Sequence, residues 1–195
     1  MTDAPKKDRN MPLEKWETLN SRTIHRDRWL SLRADTCRSA DGRLIDPYYV
    51  LEYPDWVHVI ALDPAGRILI IRQYRHGAGI LSVEFPAGEI EAADESPLEA
   101  AQRELLEETG CRADRFEALE PLFTNPARQG NRIHTYVAFE TVEVQEPAFD
   151  ETEEIEHWFV SPADLLRHVD KGLFSQALHV ASLMQIFRRF PEVFQ

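Results

Sequence analysis

Apolar residues in this chain fall mostly into short, β-rich runs broken by Pro, Gly and Asp, and only a few stretches carry the capping signals and spacing of helices. Residues 1 to about 14 are polar, show no periodic apolar face, and are expected to be a flexible tail. Runs at 22–25, 29–34 and 48–53 read as strands, with Asp41-Gly42 a hairpin-turn signal between the last two, so residues 15–53 are expected to form an N-terminal β arm or subdomain. Residues 54–195 form the main block. It opens with apolar runs at 56–62 and 67–74 around a turn at Asp63-Pro64-Ala65-Gly66, a pattern that predicts a hairpin. A run at 81–85 and a corner at 85–88 lead to a helix over 96–109. Strands are predicted near 116–122, 133–140 and 155–160. A helix should follow the Ser161 cap and Pro162 and end near Gly172, and 175–189 reads as a final amphipathic helix.

The helix over 96–109 is delimited at both ends. Ser96 is a good N-cap, Pro97 suits the first helical position, Glu99 stands where a capping box would place it, and Gly110 fits a left-handed C-terminal cap. Within it, Glu104, Glu107 and Glu108 share one face at i, i+3 and i+4. Like charges this close are costly without a counter-charge. A divalent cation held by oxygen supplies one, and Mg²⁺ typically takes few carboxylates, several waters and substrate phosphates. A Glu-rich helical face is more often just solvated, and Glu99–Arg103, Arg103–Glu107 and Glu108–Arg112 are possible i,i+4 pairs that would quieten the repulsion.

The run Glu95-x7-Arg103-Glu104-Leu105-x-Glu107-Glu108-x-Gly110-Cys111 resembles the Nudix box, G-x5-E-x7-R-E-U-x-E-E-x-G-U with U apolar. Six residues, not five, separate Gly88 from Glu95, so either the loop carries an insertion or Asp94 partly takes the Glu95 role. The resemblance covers roughly residues 45–190. It implies an α/β fold, the Nudix α/β/α sandwich with a mixed sheet, here with an N-terminal β arm similar to that of the ADP-ribose pyrophosphatase branch, where the arm contributes to a homodimer.

The same resemblance implies the chemistry. Glu104 and Glu108 look like the principal Mg²⁺ ligands, Glu107 a third carboxylate that can bridge or bind a further ion, and Ala87 the position whose carbonyl completes the shell. Arg103 would orient a glutamate. Arg75 resembles a phosphate-gripping arginine, against the plainer reading of an exposed arginine at a strand end. Pro126, sixteen residues past Gly110, resembles a marker of the ADP-ribose branch, or is an ordinary loop proline. Glu151 aligns with a mobile-loop general base, with Glu153 and Glu154 as neighbours that could serve instead. Trp29 resembles an adenine-stacking tryptophan, and a core or interface tryptophan is an equal reading. His58 and His134 read as satisfied sheet residues, and Cys37 and Cys111 have no ligand partner at metal spacing.

A formal charge of −12 argues against broad nucleic-acid binding but not against a phosphate substrate bridged by metal. Two cysteines are too few for a secreted disulfide framework, no apolar run approaches a membrane span, and the first ten residues lack a signal-peptide core, which points to the cytoplasm. The expected activity is hydrolysis of the pyrophosphate of a nucleoside diphosphate sugar with Mg²⁺, or Mn²⁺ as a substitute, ADP-ribose giving AMP and ribose 5-phosphate. A GDP- or UDP-sugar hydrolase is the nearest rival. A catalytically silent nucleotide-sugar-binding module is the rival from another class.

Overall fold

The computed structural model describes residues 13–149 and 154–195. Most of the residues expected to form the N-terminal tail, and Glu151 and Glu153 of the acidic loop, lie outside them. The chain divides into two units, one running up to Tyr53 and including Ala127–Gly130, the other comprising Pro54–Pro126 and Asn131–Gln195.

The first unit is an antiparallel meander of β1 (Glu17–Arg26), β2 (Ser31–Arg38) and β3 (Leu44–Glu52). Every residue of β1 is exposed, so no alternating pattern marked its length, and the strand runs well beyond the predicted 22–25. The second strand starts after Trp29, because Asp27 Oδ1 accepts the N–H groups of Trp29 and Leu30, each at 2.8 Å, and turns the chain there. Polar pairs tie the strands together: Ser21 of β1 donates to Asp35 of β2 (2.6 Å), and Arg33 of β2 reaches both Asp35 (3.1 Å) and Glu52 of β3 (2.8 Å). Tyr48 Oη donates to the Ala127 carbonyl (2.7 Å) and Leu51 N–H to that of Arg128 (2.8 Å), which brings 127–130 into this unit.

The second unit contains β4 (Trp56–Ala61), β5 (Ile68–Arg75), β6 (Ile80–Glu84), β7 (Ala87–Glu89), α1 (Pro97–Thr109), β8 (Cys111–Arg112), β9 (Arg115–Ala118), β10 (Leu122–Phe123), β11 (Arg132–Phe139), β12 (Val142–Glu143), β13 (Ile155–Val160), α2 (Pro162–Asp170) and α3 (Ala177–Arg189). A mixed sheet has the order β10-β11-β4-β7, with β9 also on β11, and a second sheet has the order β13-β5-β6. The predicted hairpin of 56–62 and 67–74 is corrected here. β4 pairs with β11 and β7 and β5 with β13 and β6, and of the hairpin there remains the turn, closed by the bridge Leu62↔Ile68 and the Asp63 N–H bond to the Arg67 carbonyl (3.0 Å). β4 is buried nearly throughout and β5 over Ile68–Ile71, and each has neighbours on both edges, so they part into separate sheets.

Strand alternation sorts the core into two faces. Val57, Val59, Ala61 and Leu69 pack with Ala100, Ala101 and Leu105 of α1. Ile60, Leu62, Ile68 and Ile70 pack with Leu165 of α2 and with Leu183 and Ile186 of α3. Helices therefore cover both faces of the strands. The predicted strand over 116–122 is split between β9 and β10, and the predicted corner at 85–88 contains the short strand β7. The last helix begins at Ala177, not 175, because the Gln176 side chain caps it by accepting from Leu178 N–H (2.5 Å) and His179 N–H (3.2 Å).

Candidate active site

The phase of α1 is set by its caps. Ser96 Oγ accepts Glu99 N–H (3.2 Å), and Gly110 takes φ +66 and donates its N–H to Leu106 (2.8 Å). The Glu99 carboxylate reaches the N–H of Glu95 (2.5 Å), one residue ahead of the capping-box partner. With Ala101 and Leu105 turned into the core, Glu104 and Glu108 lie against β7 and Glu107 beside them toward solvent, and their surroundings differ. Glu108 is buried at 2 % exposure, its Oε2 accepting Ala87 N–H (2.9 Å). Glu104 lies against Gly88, where an added Cβ would come 2.0 Å from Oε1 and 2.4 Å from Oε2. Glu107 is the half-exposed member.

Arg103 organises this ridge. Its Nη1 donates to Glu104 (2.7 Å) and Glu107 (3.0 Å), its Nε and Nη2 fork onto the two oxygens of Asp94 (3.1 and 3.0 Å), and Nη2 also reaches the Glu89 carbonyl (2.9 Å). Of the two acids that the six-residue spacing brought into question, Asp94 is the one bound to Arg103. Hydrogen bonds from Arg103 hold the Asp94 carboxyl below its ordinary range, and those bonds push the guanidinium further up despite its partial burial.

Among the described residues no three acidic, His or Cys side chains converge at metal-binding spacing, since Glu104 and Glu107 are drawn to Arg103. The donors nonetheless suit a hard cation. Glu104, Glu107 and Glu108 offer only oxygen, and the first and last flank the Ala87-Gly88 backbone in a cradle that a side chain at residue 88 would fill.

Arg75, at the end of β5, is not simply an exposed strand-end arginine. Its Nη2 and Nε grip the two oxygens of Glu84 (2.6 and 3.2 Å), a carboxylate fully buried at the end of β6. Burial would raise Glu84, but hydrogen bonds from His179 and Arg75 outweigh it and hold the carboxyl well below its usual range. Arg75, Ala87, Gly88, Trp56, His58 and His179 are among the residues lining a cavity of about 250 Å³. Sequence reading missed Glu84 and His179. An acid within the apolar run at 81–85 was the available signal for Glu84.

The remaining candidates are more scattered. Trp29 belongs to the first unit, is 68 % exposed, and carries the Arg28 guanidinium 4.0 Å from its ring centroid, so it is not a core residue. Pro126 sits in an exposed turn. Of the acidic loop only Glu154 is described, and it is exposed. His58 and His134 are satisfied as expected, by Ser182 Oγ (2.9 Å) and Asp55 Oδ2 (2.8 Å).

Strands covered by helices on both faces, with a glutamate ridge clamped by arginine beside the Ala-Gly-Glu strand β7, have the donor chemistry of a hydrolase acting on phosphoanhydrides, and the family and relatives that follow show that class. The chain belongs to the NUDIX family: the NUDIX domain matches residues 52–178, and the nucleoside diphosphate sugar hydrolase N-terminal domain matches residues 16–51. Similar proteins include an ADP-ribose pyrophosphatase of Mycobacterium tuberculosis, 31 % identical over 88 % of this chain and 83 % of the relative. An ADP-ribose pyrophosphatase of Bacillus subtilis is 32 % identical over 62 % of this chain and 65 % of the relative. A crystal structure of an ADP compounds hydrolase shares the fold, with a TM-score of 0.82 at 23 % identity over 93 % of this chain and 97 % of that one.

Proposed function

We propose that this enzyme uses Mg²⁺, with Mn²⁺ as a substitute, to hydrolyse the pyrophosphate of a nucleoside diphosphate sugar, ADP-ribose giving AMP and ribose 5-phosphate. The observation that carries this reading is the convergence of Glu104 and Glu108 on the Ala87-Gly88 backbone, beside the cavity that Arg75 also lines. The two ADP-ribose pyrophosphatase relatives support the choice of sugar nucleotide. Glu104, Glu108 and the Ala87 carbonyl would hold the cation, with Glu107 available to bridge or bind another. Bound there, the metal supplies charge to polarise phosphoryl oxygens and acidify an attacking water. Arg103 orients Glu104 and Glu107 through its Nη1, and its fork on Asp94 fixes the loop before α1. Arg75 faces substrate phosphate as a planar, charged donor. Glu151 of the acidic loop takes the water's proton, with Glu153 and Glu154 as the alternatives.

We further propose a homodimer built through the first unit, whose exposed Trp16, Leu19, Ile24, Trp29, Leu44 and Tyr49 present apolar surface. Two free, buried cysteines support a cytoplasmic location. Among the described residues no helix is long and apolar enough to cross a membrane. The test of substrate is a panel of ADP-ribose, ADP-glucose, GDP-mannose, UDP-glucose, NADH and diadenosine polyphosphates, with products identified by mass spectrometry. Preference for ADP-ribose, yielding AMP and ribose 5-phosphate, is expected. Preference for GDP-mannose or UDP-glucose overturns the choice of base, and inactivity on every compound favours a silent binding module.

A further inference from the structure

We propose that Glu84 and His179 are positioning residues that set the Arg75 guanidinium at the cavity wall and thereby fix the enzyme's affinity for its substrate. The proposal rests on the reading above, in which this cavity receives a substrate phosphate. It starts from an oddity of burial. Glu84 ends a β-strand with no exposed surface, and a carboxylate in such a place is unfavourable unless paired and hydrogen bonded. Paired buried charges are often no more stabilising than apolar residues of the same volume, so stability is a weak reason to keep one here. What the pair does supply is orientation. Arg75 is held through two parallel N–H bonds, from Nη2 at 2.6 Å and Nε at 3.2 Å, and a bidentate fork fixes the plane of the guanidinium as well as its distance.

His179 acts one step behind. Its Nδ1 accepts the Phe85 N–H (3.3 Å), so a neutral ring carries its proton on Nε2, which lies 3.2 Å from Glu84 Oε2 and donates to it. The ring has little freedom to turn. It stacks on His58 with centroids 3.9 Å apart and planes within 6°, and it meets the rings of Phe85 and Phe174 at 6.0 and 6.1 Å. His58 is anchored in turn by Ser182 Oγ at 2.9 Å, and Ser182 by Thr135 Oγ1 at 2.9 Å. Side chains from β4, β11 and α3 thus converge, through one imidazole, on the carboxylate that grips Arg75.

The test is a set of variants assayed by steady-state kinetics on ADP-ribose and by calorimetric binding of its non-hydrolysable α,β-methylene analogue. Glu84→Gln is expected to raise KM and Kd about tenfold while kcat stays within about twofold, the pattern of lost binding rather than lost chemistry. In an Arg75→Ala background the same substitution is expected to change neither constant further, since its effect passes through the arginine. His179→Leu should raise KM several-fold, roughly the cost of one donor, and His179→Gln, which keeps a donor, should restore most of it. An undiminished loss from Glu84→Gln in the Arg75→Ala background, a fall in kcat at unchanged KM, or equal effects of the two His179 variants would overturn the proposal. If Glu84→Gln does not fold, the His179 pair decides alone. A wild type that binds the analogue but hydrolyses nothing overturns the hydrolase reading and leaves the binding constants to decide positioning. One that neither binds nor hydrolyses overturns both.

Discussion

Gly88 governs where the Glu104 carboxylate can rest. The atoms a methyl group there would meet first are the carboxylate end of a flexible side chain, so Gly88→Ala should fold while driving Glu104 out of its place. Turnover is expected to fall by about 100-fold with a melting temperature within about 3 °C of wild type, a split read by kinetics and calorimetry on one preparation. Glu108→Gln removes a charge without changing volume and leaves an oxygen able to accept Ala87 N–H, so the fold should survive while turnover at saturating Mg²⁺ drops by orders of magnitude. Wild-type turnover in that variant would refute its role as a ligand. The acidic ridge was legible in sequence because helical spacing alone places Glu104, Glu107 and Glu108 together. The grip of Glu84 on Arg75 was not. It runs diagonally across the β5–β6 hairpin, where Arg75 pairs with Ile80 and Glu84 with Ile71, so strand register does not place the two side chains opposite each other, and His179 enters from a helix 95 positions further along the chain.

At the level of elements, α1 shows what local signals can and cannot say. Both caps were readable, because Ser before Pro and Gly after the last turn act through backbone groups a few residues away. Their energetic weights differ for a reason the sequence does not carry. Ser96→Ala loses one side-chain acceptor and should cost about 1 kcal/mol. Gly110→Ala combines a left-handed backbone with a Cβ placed 1.9 Å from the Gln145 carbonyl oxygen, and neither can relax cheaply. It should cost about 2–4 kcal/mol and lower the melting temperature by roughly 5–10 °C, measurable by scanning calorimetry. Strand lengths were the least legible. Every residue of β1 is exposed, so it has no period to read, while β4 and the Ile68–Ile71 half of β5 are buried on both faces and gave no hint that they belong to different sheets.

Taken whole, the molecule should weaken in mild acid. Burial holds His58 and His179 below the ordinary histidine range, so near pH 6 the unfolded chain binds protons that the folded one refuses. The stability they contribute is fully present above about pH 6.5 and is lost as the pH falls below it, by at most about 1.4 kcal/mol per pH unit for each ring. Urea midpoints compared at pH 7.5 and 5.5 should show the drop, and His179→Gln should show a shallower one. Glu84 adds a separate loss at lower pH, present above its unfolded value near 4.5 and fading below it. The Arg103 clamp bears on the whole molecule differently. Because one guanidinium already donates to both Glu104 and Glu107 and offsets part of their repulsion, the protein carries an internal counter-charge, and its fold is expected to stand without an added cation. Chelation should therefore abolish turnover yet shift the melting temperature by less than about 3 °C, and readdition should restore activity without refolding. On the proposed reading, loading would be an exchange of partners in which an internal cation yields to an external one, and the enzyme would stay intact through spells of metal scarcity and resume when supply returns.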